Sequence, residues 1–287
     1  MIRIMTPDKS EALAALAWLV EAGADEASQE EPVNRFSAPK AAAPTPPAQR
    51  PTPEAIRPKT EFPKPSPPKT AVPAIDTDSI GRATEIAAGC NSLVELKAAL
   101  EAFEGSALKK LATNTVFADG VPDHRIMIIG EAPGRDEDLA GLPFVGRAGK
   151  LLDKMLDAIG LDRKTNAYIT NVMNWRPPEN RDPSPEEAAI CLPFLRGHIE
   201  LVDPEIIILL GAVAARHVMG RTDGIMRLRG KWLEYYANGR MAPVMPTLHP
   251  AYLLRRAIDK KLAWRDLLAI DEKIKSLGLL ERRGARG

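Results

Sequence analysis

The sequence predicts a three-layer α/β/α sandwich around a central, four-stranded, mostly parallel sheet. Three observations carry this prediction. Short apolar runs recur over 125–129, 167–172, 206–210 and 243–248. Stretches of helical periodicity separate them, and strands alternating with helices favour a parallel sheet covered on both faces. The run Ile206–Leu210 is almost continuously apolar, as a strand buried between two helix layers requires.

Taken in order, residues 9–22 read as a helix, with Leu13, Leu16, Ala17 and Val20 at helical spacing. Thirteen of the 26 prolines fall between Pro32 and Pro73. A segment so poor in amide donors and apolar bulk reads as an extended linker. The expected organisation is therefore a helical segment at 1–31, a Pro-rich linker at 32–79 and a folded domain at 80–287. Within that domain, 92–104 reads as a helix through Leu93, Leu96, Leu100 and Phe103. Residues 146–159 read as an amphipathic helix. Ser184 is the N-cap of a third helix, with Pro185 in its first position and Glu187 closing a capping box. Residues 251–257 and 261–277 complete the helices, and 281–287 form a basic tail.

Bulk properties narrow the function. The chain of 287 residues is 45% hydrophobic and 27% charged, with a formal net charge of +1. Any nucleic-acid surface must then be local. Two distant cysteines, Cys90 and Cys191, exclude a disulfide framework or a four-thiolate metal site within one chain. No apolar run is long enough to span a bilayer, and Asp8, Lys9 and Glu11 interrupt any signal-peptide core. A cytoplasmic, nucleoid-associated monomer is expected.

In a parallel sheet the site lies beyond the carboxyl ends of the strands. After the first run comes Gly130-Glu131-Ala132-Pro133-Gly134, a tight loop whose amides can face a ligand, followed by Arg135-Asp136-Glu137-Asp138. It reads equally as a strand-end turn with a solvated acidic patch. Residues 141–149 are a Gly-rich turn entering a helix at Gly146 and Arg147, a favourable place for a phosphate. Phe144 within it can stack on a planar base or staple the helix. Asn171 ends the second run, where its carboxamide can read a ligand edge or satisfy a turn. His249, after the fourth run, precedes Pro250, Ala251, Tyr252, Leu253, Leu254, Arg255 and Arg256, a mixture suited to wedging into a base stack while holding phosphates. His249 can equally be a structural hydrogen-bonder. Residues 224–233, with Arg227, Arg229 and Lys231, read as a phosphate-contacting loop or an edge strand.

Together, Gly130–Gly134, the 141–149 turn, Thr170-Asn171-Val172 with Arg176-Pro177-Pro178, Leu228-Arg229-Gly230 and His249-Pro250-Ala251-Tyr252-Leu253-Leu254-Arg255 resemble the uracil-DNA glycosylase superfamily, closest to its family 4. The resemblance spans about residues 100 to 270. It implies a monofunctional enzyme that hydrolyses uracil from DNA in base excision repair, leaving an abasic site. It implies that His249 is catalytic, with Glu131 and Glu137 organising water or the pocket. Gly130, Ala132, Phe144 and Asn171 would bind uracil. Gly146, Arg147, Arg229, Leu253, Leu254 and Arg255 would bind DNA. Usual members of family 4 ligate an iron–sulfur cluster through four cysteines. Here the matching positions are Phe103, Ser106, Trp175 and Cys191, so neither a cluster nor any other metal or cofactor is expected, with Trp175 filling the space. The departure at Ala132, where some superfamily members carry a water-activating Asp or Asn, shifts that task to Glu131 or Glu137. The 179–184 loop has no histidine, so no covalent trapping of product is expected. The competing readings are a glycosylase for hypoxanthine or xanthine and a non-catalytic abasic-site or lesion-binding module.

Overall fold

The computed structural model describes residues 77–280. The helix expected at 9–22, nearly all of the Pro-rich stretch and the basic tail lie outside the described residues. The architecture is the expected α/β sandwich, with six strands in the sheet rather than four. The strands are β1 (Ala118–Gly120), β2 (Ile126–Gly130), β3 (Tyr168–Asn171), β4 (Ile206–Leu210), β5 (Leu233–Ala237) and β6 (Arg240–Thr247), in the order β1-β3-β2-β4-β6-β5. The four anticipated from their apolar runs form the parallel centre β3-β2-β4-β6. Both edges are antiparallel additions, β1 on β3 and β5 on β6.

Alternation along the central strands builds two cores. Met127, Ile129, Ile207 and Leu209 face one way, into a cluster with Leu96, Leu100, Ile190, Phe194 and Ala214. Ile126, Ile128, Ile206, Ile208 and Leu210 face the other way, onto Leu152, Leu156, Leu267 and Ile270. The first layer holds the helices α1 (Thr77–Ala88), α2 (Leu93–Ala102), α5 (Pro185–Val202) and α6 (Gly211–Met219). The second holds α4 (Arg147–Asp157), α8 (Pro250–Arg255) and α9 (Lys260–Ser276). Two short helices, α3 (Arg135–Ala140) and α7 (Ile225–Leu228), lie in the loops after β2 and before β5. None of the described helices is long and apolar enough to cross a membrane.

The local signals act as their chemistry dictates. The Ser184 hydroxyl accepts from the Glu187 amide at 3.2 Å, and the Glu187 carboxylate accepts from the Ser184 amide at 2.8 Å. This is the reciprocal capping box. The 224–233 segment is not an edge strand as a whole. It begins as the single helical turn Ile225–Leu228, and the edge strand starts only at Leu233. Strands β5 and β6 join through Asn238-Gly239, both at positive φ (50° and 75°). That is the two-residue hairpin turn such a dipeptide favours.

One polar group lies deep in the first layer. His198 on α5 stacks on Phe117 with ring centroids 4.4 Å apart, and its Nε2 lies 2.9 Å from the Tyr168 hydroxyl. Burial pushes its pKa down from 6.5 to about 3. The folded protein thus holds this ring neutral while the unfolded chain protonates it below 6.5. Its contribution to stability is complete above pH 6.5 and is lost as pH falls from there toward about 3. Denaturant unfolding measured from pH 7 to 4.5 should show stability falling with acid. His198→Gln should lower that slope by about one bound proton; an unchanged slope would show that His198 is not the buried neutral group.

Candidate active site

The central strand order reverses direction between β2 and β4, and at such a switch point the loops beyond the carboxyl ends diverge to leave a crevice. A pocket of about 410 Å³ opens there, and Glu131, Phe144, Asn171 and His249 all line it.

The pocket is built around an absence of side chains. A Cβ on Gly130 would meet Asn171 Oδ1 and the tip of the Phe144 ring, each at 2.4 Å. Glycine at the end of β2 therefore lets both groups lie against the backbone. Phe144 itself stands at φ 55°, a region that is a genuine outlier for a bulky residue and costs on the order of 1–3 kcal/mol. Its carbonyl turns onto α4, where a Cβ at Gly149 would come within 1.8 Å of it. The next two amides, Val145 and Gly146, donate to Glu137 Oε1 at 3.0 and 2.9 Å, and Gly134 donates to Glu137 Oε2 at 3.1 Å. Glu137 is thus engaged through both oxygens in joining the 130–134 loop to the Phe144 loop.

Asn171, 2% exposed, ends β3 beside Gly130. Its Oδ1 is the one buried side-chain oxygen or nitrogen among the described residues without a hydrogen-bond partner. A buried carbonyl left unmatched carries a desolvation cost of about 1–3 kcal/mol. An acceptor in that condition on a pocket wall is arranged for a donor that arrives with a ligand.

His249 is the N-cap of α8, and its Nδ1 accepts from the Ala251 amide at 3.1 Å. An accepting Nδ1 carries no proton, so in the neutral ring the proton sits on Nε2. Burial, with the Arg255 charge behind it, lowers its pKa to about 4. The ring lies 5.6 Å from the Phe144 ring, centroid to centroid, tilted by 35°. A Cβ on Gly211 would stand 3.1 Å from the His249 Cβ. The strand end after Leu210, which carries no polar signal in the sequence, contributes room for the histidine.

The remaining wall includes Asn180, Arg181 and Asp182, which no sequence motif marked as pocket residues. Arg181 is fixed by a two-pronged pair with Glu187, at 2.8 and 2.6 Å. Glu131, half-buried, has its carboxyl pKa raised, first by burial and then by the Asp182 charge, with Arg216 opposing.

Two expected DNA contacts are corrected. Leu253 is 1% exposed and belongs to the second core, because the α8 face that carries it packs against α4 and α9; Leu254, 40% exposed, is the neighbour that projects. Arg229 is drawn inward. Its guanidinium pairs through Nε and an Nη with both oxygens of buried Asp266, which also accepts from Thr247 at 2.7 Å, and the same Nη donates to the Leu262 carbonyl at 2.7 Å. Arg147 and Arg255 are exposed, and Arg255 reaches the pocket rim.

A family model described as the uracil DNA glycosylase superfamily matches residues 117–268. The chain belongs to this superfamily. It is 45% identical over 144 residues to a type-4 uracil-DNA glycosylase of Thermotoga maritima, covering 50% of this chain and 73% of that protein. It is 46% identical over 153 residues to one of Archaeoglobus fulgidus, covering 52% and 76%. A third, from Sulfurisphaera tokodaii, is 35% identical over 198 residues, covering 67% and 88%. The superfamily match spans all six strands, and it contains Glu131, Phe144, Asn171 and His249.

The residues at the four positions matched to iron–sulfur ligands do not fit a cluster. Trp175 is wholly buried, and its indole N–H donates to Thr115 Oγ1 at 2.9 Å. Phe103 packs edge-on against Phe194, ring centroids 5.2 Å apart. Ser106 is buried. Burial pushes the Cys191 thiol up to about 12, against a hydrogen bond to the Asn174 backbone, and it is the one thiol among the four positions. Cys191 shares its apolar face of α5 with Ala188, Leu195 and Ile199.

The reassignment of Arg229 is tested by stability. Arg229→Met should cost about 3–5 kcal/mol in urea unfolding, because Asp266 is left buried and unpaired. A loss within the range of an ordinary surface substitution, about 0.5 kcal/mol, would return Arg229 to the protein's exterior.

Proposed function

We propose that this superfamily member is a monofunctional uracil-DNA glycosylase acting in base excision repair. On this reading it hydrolyses the N-glycosidic bond of a flipped-out deoxyuridine to give free uracil and an abasic site. The observation that carries it is the unpartnered Oδ1 of Asn171, a residue that lines the pocket with Phe144 and His249.

A uracil edge offers what that wall lacks. Its N3–H donates to Asn171 Oδ1, and the Asn171 amide donates to the adjacent O4. Cytosine presents an acceptor at N3 and a donor at C4, so both hydrogen bonds fail and a buried carbonyl remains unpaired. The target nucleotide must leave the stack to reach this depth. Phe144 then supports its face. Leu254 occupies the vacated position in the duplex, with Arg255 and Arg147 on phosphates and the Gly146 amide at the helix start beside them.

Bond cleavage leaves a cation on the sugar and an anion on the base. His249 donates from Nε2 to uracil O2 as a neutral imidazole, since its pKa of about 4 keeps it uncharged near neutral pH. Glu131 is the carboxylate available to hold the attacking water and face the sugar cation. Ala132 has no polar group for that task, and Glu137 is committed to backbone amides. None of the described residues lining the pocket is a lysine, which favours direct hydrolysis over a Schiff base with strand cleavage. No cluster takes part in this reading: the Trp175 side of the first core is stable through side-chain packing.

Uracil-containing single- and double-stranded oligonucleotides, treated with the protein and then alkali, test the reaction. Strand scission only after alkali is expected. Intact strands would leave the lesion-binding reading, and scission at hypoxanthine or xanthine in place of uracil would reassign the substrate. His249→Ala and Asn171→Ala should each lower single-turnover rates about 10²–10³-fold with melting temperatures little changed. Anaerobically purified protein should contain no stoichiometric iron and show no visible charge-transfer band; iron at cluster stoichiometry would overturn the cluster-free reading.

A further inference from the structure

We propose that Arg163, which belongs to none of the recognised motifs, is a positioning residue that holds Phe144 in its base-supporting conformation. The inference rests on the reading of Phe144 as the platform for the base.

Arg163 lies 12% exposed between α4 and β3. One Nη donates to the Pro143 carbonyl at 2.9 Å, and the other donates to the Phe144 carbonyl at 2.9 Å. Two consecutive carbonyls presented to one guanidinium are a consequence of the turn at Phe144, whose φ is 55°. Arg163 is itself held by Asp153 on α4, at 2.9 Å from Nε and 2.7 Å from an Nη, and by Asp119 on β1 at 3.0 Å. The strained turn is thus fixed from two sides, by a carboxylate on its amides (Glu137) and a guanidinium on its carbonyls (Arg163).

The fixing matters because an aromatic residue ordinarily avoids positive φ. Without the guanidinium, the peptide groups flanking Phe144 regain the freedom to rotate toward ordinary backbone angles, and the ring leaves the wall it shares with Asn171. Lysine does not substitute well. Its ammonium is a single point with three donors, whereas the planar fork spans two carbonyls and two carboxylates at once.

The test is a double-mutant cycle with a second readout that does not depend on catalysis. Arg163→Gln should lower kcat/KM on uracil-containing DNA roughly 10- to 100-fold, the scale expected of a displaced binding group. It should also weaken inhibition by free uracil, and Arg163→Lys should restore only part of each. In a Phe144→Ala background, Arg163→Gln should add little further loss, because its effect passes through the missing ring. Equal losses in both backgrounds would overturn the proposal and leave Arg163 as a general stabilising group. Asp153→Asn, which loosens one anchor and leaves the loop itself intact, should shift the same parameters in the same direction by less. Selectively labelled phenylalanine NMR supplies the independent arm. The Phe144 ring signals should move on Arg163→Gln in the free protein, and unmoved signals would overturn the inference. Inactivity of the wild-type protein on uracil would instead fail the catalytic reading, with the ring signals still deciding the role of Arg163.

Discussion

The close approach over Gly130 is the constraint on which the pocket depends. A single methyl group there would overlap both the Asn171 carbonyl and the Phe144 ring. The end of β2 is thus the floor on which the Asn171 carboxamide and the Phe144 ring are laid side by side. Everything around it preserves that arrangement. Gly149 accommodates the reversed Phe144 carbonyl, Gly211 accommodates His249, and Glu137 joins the two loops through their amides. Active-site strain of this kind persists only where the surroundings over-determine it.

The electrostatics follow the same economy. The pocket places an unmatched acceptor, a neutral imidazole with its proton directed by the Ala251 amide, and a carboxylate of raised pKa around one space. No strong cation is buried there. On the proposed reading, the donor among these groups, the neutral His249 N–H, would strengthen its hydrogen bond as the base acquires negative charge, which is the differential interaction that catalysis requires. Elsewhere, buried Asp266 is paired with Arg229, and buried Asp138 accepts from the Thr113 and Asn114 amides. The first core places Trp175, Phe103 and Cys191 where the resemblance places metal ligands, and there apolar packing holds the layer together.

The legible parts of the chain were those where one segment alone expresses the physics. The central strands β2, β3, β4 and β6 announced themselves because burial on both faces demands an unbroken apolar run. The edges did not. β1 is three residues long, and β5 alternates half-buried and exposed positions, so neither departs from loop composition, although Asn238-Gly239 carried a hairpin signal that the periodicity did not convey. Glu131, Asn171 and His249 were legible as strand-end residues, and Phe144 as part of the Gly-rich turn before α4. Arg163 was not, because its partners are main-chain carbonyls 19 and 20 positions away. Leu253 and Leu254 are adjacent and chemically alike, and only the packing of α8 against α4 and α9 separates a core residue from a projecting one.

The sequence by itself determined the α/β class, the parallel centre, the superfamily and the strand ends at which chemistry gathers, because hydrophobic period and loop composition are local properties. Tertiary structure decided which of the marked groups face the pocket and what state they are in. Whether an arginine meets solvent or a buried carboxylate, whether a glutamate is open to the pocket or committed to three amides, and whether an asparagine oxygen is left unsatisfied all depend on segments brought together from distant parts of the chain. The close contact over Gly130 belongs to both. The glycine was visible from the start, but the reason no other residue fits appears only when β3 and the Phe144 loop close over it.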